Sequence, residues 1–201
     1  RMVKLMERTL ALEATKKVGQ KIRLNGWVAT RRDHGKLVFV DLRDRSGIIQ
    51  VVGDKKLADL RSEDVVEITG LVKNRPEKMI NAEIETGKVE LSAESLKILS
   101  KAETLPFDLR DMNVTLPTLL DYRPITLRNA KVYAIFKIRE EVANSFRNTL
   151  KNLDFYEFQA PTIVPANAEG GAQVFHIDYY DKDAYLAQSP QLYKQILVSA
   201  F

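Results

Sequence analysis

Cysteine is absent, and histidine occurs twice, at His34 and His176, far apart in the chain. The first absence excludes disulfides and thiolate metal sites. The second leaves no local cluster of metal ligands, so no metal site is predicted from the sequence. No apolar run approaches the ~20 residues that a membrane helix requires, and no membrane partner is expected. The N-terminal stretch Arg1-Met2-Val3-Lys4-Leu5 lacks the apolar segment and cleavage site of a secretory signal. A cytoplasmic location is the expectation. Internal repeats and low-complexity tracts are also missing.

What is present is a chain of 201 residues with 45% hydrophobic and 29% charged content. That suffices for one large domain or two modest ones with real cores. The net charge of +4 and pI near 9.2 permit nucleic-acid binding without requiring it.

From Lys21 the apolar period becomes two, with Ile22, Leu24, Gly26 and Val28 alternating against Arg23, Asn25, Trp27 and Ala29. Turns at Asp33-His34-Gly35-Lys36 and Asp44-Arg45-Ser46-Gly47 separate further strands at 37–43 and 48–52. A short helix at 55–61, a strand at 65–72 and a strand from 88 complete the order. Residues 1–18 predict a short leading helix. Three strands, a helix and two more strands predict a small Greek-key barrel of the OB type over residues 1–101. Residues 102–126 carry Pro106, Pro117 and Pro124 without lasting periodicity, and read as a hinge. Residues 127–201 begin with an amphipathic helix over 127–153, whose Val132, Ile135, Val142, Phe146, Leu150 and Leu153 form one stripe. Short strands at 174–180 and 184–187 and a helix from 192 follow. This order predicts an incomplete α/β (α+β) domain.

On the second strand Val38, Val40 and Leu42 form the inward face, so Phe39 points outward with Asp41 and Arg43. Gln50 on the third strand and Glu90 on the fifth also point outward. An aromatic ring, an amide and a carboxylate on adjacent strands make a surface suited to stacking a base and reading its edges. Arg31, Arg32, Lys36, Arg43 and Arg45 would attract phosphate. The plain alternative is a half-covered Phe among unspecific surface charges. His34 in its turn and His176 in its strand read as structural residues. Glu169-Gly170-Gly171 reads either as a loop that closes on a ligand amine or as an ordinary connector. In Gln188-Ser189-Pro190-Gln191-Leu192-Tyr193-Lys194-Gln195, hydroxyl, amides and one ammonium crowd around a proline. Lys194 could pair an acidic ligand or be a solvated helix lysine.

These segments together resemble the aspartyl-tRNA synthetases, of class II. The run from Gly26-Trp27-Val28 through Arg31-Arg32-Asp33-His34-Gly35-Lys36 to Gln50-Val51 is similar to that family's anticodon-binding OB domain. Asp154-Phe155-Tyr156-Glu157-Phe158-Gln159-Ala160-Pro161 resembles class II motif 1. Glu169-Gly170-Gly171 resembles the flipping loop, and the octapeptide 188–195 is the most specific match. The resemblance covers about residues 20–201. It implies an all-β OB barrel followed by an incomplete class II catalytic domain built on an antiparallel sheet. Phe39 would stack on the central anticodon base, Gln50 and Glu90 would read its neighbours, and Arg32 would hold the stem-loop. Ser189, Gln191 and Lys194 would line the aspartate pocket, and Glu169 would hold the amino group. Pro161 and the long helix would lie at a homodimer interface. The implied partners are tRNA, aspartate and ATP, with magnesium accompanying ATP. His34 hints that tRNA(Asn) is charged as well as tRNA(Asp). Asp154 departs from the usual motif 1 glycine, and Tyr122–Arg128 departs from the usual Arg-rich hinge. Motifs 2 and 3 would lie beyond residue 201, so no catalytic residue is assigned and these 201 residues alone are expected not to activate aspartate. The rival reading is a non-catalytic OB-fold RNA-binding module with a degenerate synthetase remnant.

Overall fold

The computed structural model describes residues 6–110, 113–166 and 173–200, in two compact units, 1–107 and 108–201. In the first unit, β1 (Lys21–Asp33), β2 (Val38–Asp44), β3 (Gly47–Gly53), β4 (Val65–Asn74) and β5 (Val89–Ser100) close a barrel in the order β1-β2-β3-β5-β4. All neighbours are antiparallel except β3 and β5, which run parallel. This is the five-stranded OB arrangement expected from the alternation of apolar residues. The core follows that period. Leu24, Val28, Val40, Leu42, Ile49, Val51, Ile68 and Leu91 are fully buried, while every second residue of β2 faces out.

Differences from the sequence expectation sit at element ends. The leading helix is a single 3-10 turn, Leu12–Lys16, which buries Ala11 and Ala14 in the barrel core. Asp44 Oδ2 accepts the Ala11 N–H at 2.8 Å and so fixes that plug. The segment expected as a helix at 55–61 is also one 3-10 turn, Lys55–Leu57, capped by Asp54. The fifth strand runs to Ser100 because it stays paired with β4 as far as Val65, although its alternation of buried residues ends after Ser92.

In the second unit, α1 (Leu116–Asp121), α2 (Arg123–Thr126) and α3 (Ala130–Asn152) precede a small sheet. Within the segment read as a hinge, Pro117 and Pro124 start helices: each lies in a first turn, where a missing N–H costs nothing. The long helix begins at Ala130 because Asn129 caps it, accepting the Lys131 N–H at 2.9 Å. The sheet is antiparallel, with β8 (Lys182–Leu186) between β6 (Ile163–Val164) and β7 (His176–Tyr179). The β6 strand was not anticipated, since two residues carry no period. Finally, α4 spans Gln191–Val198. Among the described residues of this unit only Val132 and Ala184 are buried hydrophobics.

Candidate nucleic-acid and ligand interfaces

The outward residues of β1, β2, β3 and β5 converge as the alternation predicts. Register sets Arg32 opposite Phe39, Asp41 opposite Gln50, and Gln50 opposite Glu90. Arg32 Nη2 donates to Asp41 Oδ1 at 3.0 Å and to Gln50 Oε1 at 3.4 Å. Gln50 Nε2 donates to Glu90 Oε2 at 2.9 Å, and Thr30 Oγ1 donates to Asp41 Oδ2. Gln50 points away from the barrel core, yet it is only 8% exposed because Arg32 and Glu90 engage both ends of its amide. A base edge would therefore replace one of these bonds rather than meet a bare amide.

Beside this network is a cleft of about 580 Å³, lined by Arg32, His34, Lys36, Leu37, Phe39, Gln50, Lys78 and Met79. The half-buried Phe39 ring and His34 form a T-shaped pair, 5.4 Å between centroids and 88° between planes. His34 is placed by a tight hairpin in which Gly35 adopts φ +79° and its N–H donates to Asp33 Oδ1 at 2.8 Å. The three lining cations, Arg32, Lys36 and Lys78, accompany the apolar Leu37, Phe39 and Met79, which suits a base flanked by phosphates. Lys78 and Met79 escaped the sequence reading. They sit in a 3-10 turn between β4 and β5, and the only signal was Pro76.

Arg75 was missed as well. It is 7% exposed and donates from Nε to the Val89 carbonyl at 3.1 Å. Burial pushes its guanidinium below the ordinary arginine value; Glu90 and then Asp41 pull it back, and Arg32 opposes them. Arg43 has a partner that the sequence reading did not foresee: its Nη2 donates to both carboxylate oxygens of Glu63, at 3.0 and 2.9 Å, and the guanidinium lies 6.0 Å from the Trp27 ring centroid.

In the second unit, Ser189 lines a largely apolar cavity of about 270 Å³ with Val164, Tyr185, Leu192, Tyr193 and Ile196. Gln191 and Lys194 do not line it. Three residues apart on α4, they share the opposite, exposed face. Lys194 has no side-chain hydrogen bond or ion pair among the described residues. Glu169 lies outside the described residues. Pro161 is exposed. Beyond the buried Val132 the α3 stripe is largely uncovered: Val142 and Phe146, with Phe155 and Phe158 beyond the helix, line a groove of about 640 Å³. His176 Nε2 and Asp183 Oδ1 are 2.6 Å apart, and Asp178 joins them within 4.8 Å, all exposed. The fold thus assembles a mixed imidazole–carboxylate group that the spacing of the histidines did not suggest.

Comparison with known proteins adds to this geometry. Residues 22–99 match the OB-fold nucleic acid binding domain, and residues 115–201 match the class II tRNA synthetases (D, K and N). The chain is 41% identical over 203 residues to an aspartate–tRNA(Asp/Asn) ligase of Deinococcus radiodurans, covering 100% of this chain and 45% of that protein. It superposes with a TM-score of 0.82 and 28% identity on a putative aspartyl-tRNA synthetase of Leishmania major, covering 99% of this chain and 42% of the other. With the asparaginyl-tRNA synthetase of Pyrococcus horikoshii complexed with asparaginyl-adenylate, the TM-score is 0.80 and the identity 31%, covering 96% and 45%. The chain thus spans less than half the length of these relatives. It carries an OB-fold nucleic acid binding domain followed by sequence that matches the class II tRNA synthetases (D, K and N), and along its length it is similar to aspartate–tRNA ligases.

Proposed function

We propose that the protein is an aspartate–tRNA ligase. It joins aspartate to ATP, releasing pyrophosphate and forming aspartyl-adenylate, and passes the aspartyl group to the 3′ end of tRNA(Asp). The observation that carries the reading is the cleft: Phe39, Gln50 and Arg32 line one concavity, and Glu90 is bonded to Gln50 behind it. Phe39 stacks on the central anticodon base, Gln50 and Glu90 take its neighbours, and Arg32 with His34 holds the loop. The same cleft serves tRNA(Asn). Support for that comes from His34 beside the stacking ring and from the Asp/Asn name of the Deinococcus relative.

In the second unit the substrate meets the exposed face of α4 rather than the apolar cavity: Lys194 neutralises its side-chain carboxylate, Gln191 beside it and Ser189 just before the helix orient it, and Glu169 holds its amino group. Lysine favours a carboxylate over the neutral amide of asparagine, which separates this reading from an asparaginyl enzyme. The acyl transfer proceeds by positioning and charge neutralisation, without a covalent protein intermediate. ATP enters with magnesium. An imidazole-containing group such as His176, Asp178 and Asp183 is not the all-oxygen set that magnesium takes, so the ion is not assigned to it. A homodimer formed through α3 and Pro161, in the cytoplasm, completes the reading; the uncovered α3 stripe supports it.

The test is ATP–pyrophosphate exchange by these 201 residues and by a protein of the relatives' full length, followed by charging of both purified tRNAs. The reading expects aspartate-dependent exchange from the longer protein alone, lost in Lys194→Ala, and charging of both tRNAs. Robust exchange by the 201 residues overturns the assignment of activation to the longer protein, and strict preference for tRNA(Asp) ends the dual specificity.

A further inference from the structure

Arg75 is a buried cation that none of the roles above uses. It follows the last residue of β4, and its N–H donates to the Lys88 carbonyl at 2.9 Å. Its guanidinium reaches two elements at once. Nε bonds the carbonyl of Val89, the residue before Glu90, and Nη1 bonds the carbonyl of Met79 at 3.5 Å, in the turn that supplies Lys78 and Met79 to the cleft. Nη2 is buried without any acceptor among the described residues. Two backbone carbonyls can be tied by an uncharged donor. A charge under the barrel surface with one bond unmade is costly, and a purely structural tie has no use for it. Instead Glu90 and Asp41, two members of the surface network, attract the charge, and Arg32 repels it.

We propose that Arg75 is a positioning residue of the base-reading cleft: its planar fork fixes the Glu90 side of the cleft and the Lys78–Met79 wall together, and thereby sets which bases are accepted without touching RNA itself. This rests on the reading of the cleft as the anticodon surface. Lysine carries its three donors on one nitrogen and lacks the planar fork that reaches the two carbonyls from separate nitrogens.

The test is fluorescence anisotropy on the 201-residue chain, using a labelled anticodon stem-loop of tRNA(Asp) and loops with each anticodon base replaced in turn. Arg75→Met and Arg75→Lys, checked by circular dichroism, should lower the preference for the matched loop about tenfold. The salt dependence should stay that of the parent, because no phosphate contact is lost. An unchanged preference in either folded variant overturns the proposal. A second measurement needs no substitution. The Arg75 Nε–H resonance of the parent chain should shift further on saturation with the matched loop than with a replaced one, and equal shifts overturn the proposal. Phe39→Ala separates the two levels. If it leaves binding intact, the cleft is not the RNA surface and both readings fall; if it weakens binding while the Arg75 variants keep their preference, only the role of Arg75 falls.

Discussion

At the scale of single residues, charge placement makes the clearest prediction away from the cleft. Asp108 accepts from the Arg110 side chain, Nη2 at 2.7 Å, and from its backbone N–H at 2.9 Å. These bonds, the side-chain one first, hold its carboxyl down at about 2, against an ordinary 3.8. A depressed carboxyl favours the ordered turn above the unfolded value, and that contribution fades as pH falls from the ordinary value through the folded one. An NMR titration of the Asp108 carboxyl should show the low midpoint, and Arg110→Ala should return it toward 3.8; a midpoint unmoved by the substitution would assign the shift elsewhere. Both residues are exposed, so global stability should hardly change. Of the cleft, sequence reasoning could place Phe39, Gln50 and Glu90, because period-two strands fix which way a side chain points. It could not foresee that Arg32 and Glu90 cover Gln50, or that Arg43 turns to Glu63. Those outcomes depend on partners 18 to 40 residues away, and no local pattern encodes them.

At the scale of elements, the barrel depends on close backbone approaches and on buried carboxylates, Asp44 among them. A Cβ added to Gly70 would collide with the backbone carbonyl of Ser92 on β5, at an irregularity in the β4–β5 ladder. Neither backbone can yield cheaply there. Gly70→Ala should destabilise the first unit by about 3 kcal/mol in urea unfolding or prevent folding; a parent-like midpoint would show that the ladder relaxes. Asp44 accepts from the N–H of Ala11, from the N–H of Ser46 at 2.8 Å and from the Ser46 hydroxyl at 2.6 Å. Asp44→Ala strands the buried N–H of Ala11 and frees the N-terminal plug. A loss of about 2–3 kcal/mol is expected, with faster hydrogen exchange at residues 11–14, and parent-like protection there would contradict it. The strands were legible because their inner faces alternate cleanly. The helices at 116–126 were not, because proline reads as a breaker when its position within a turn is unknown. Thr126 shows what holds them: it is fully buried and donates its hydroxyl to the Leu119 carbonyl at 2.9 Å.

At the scale of the whole molecule, the two units differ in what they bury. The first encloses its apolar residues in a barrel. The second leaves Ile138, Val142, Phe146 and Phe155 largely exposed along one groove, a patch of the kind that marks an interaction surface. If α3 pairs with a second copy, sedimentation velocity of these 201 residues should show concentration-dependent association that Phe146→Glu abolishes; a monomer at all concentrations would argue for a different cover. The fold order was legible because each unit has its own period, two for the barrel and 3.6 for α3. The segment 188–195 was legible only as a chemically dense motif, and its sequence could not show that Ser189 lines an apolar cavity while Gln191 and Lys194 share the other face of α4. The most direct measurement is the affinity of the 201-residue chain for the anticodon stem-loop of tRNA(Asp), compared with Phe39→Ala at one fixed salt concentration. Loss of the stacking ring should weaken binding by roughly 1–3 kcal/mol with circular dichroism unchanged. Equal affinity in a folded Phe39→Ala chain would contradict the assignment of this barrel surface to RNA.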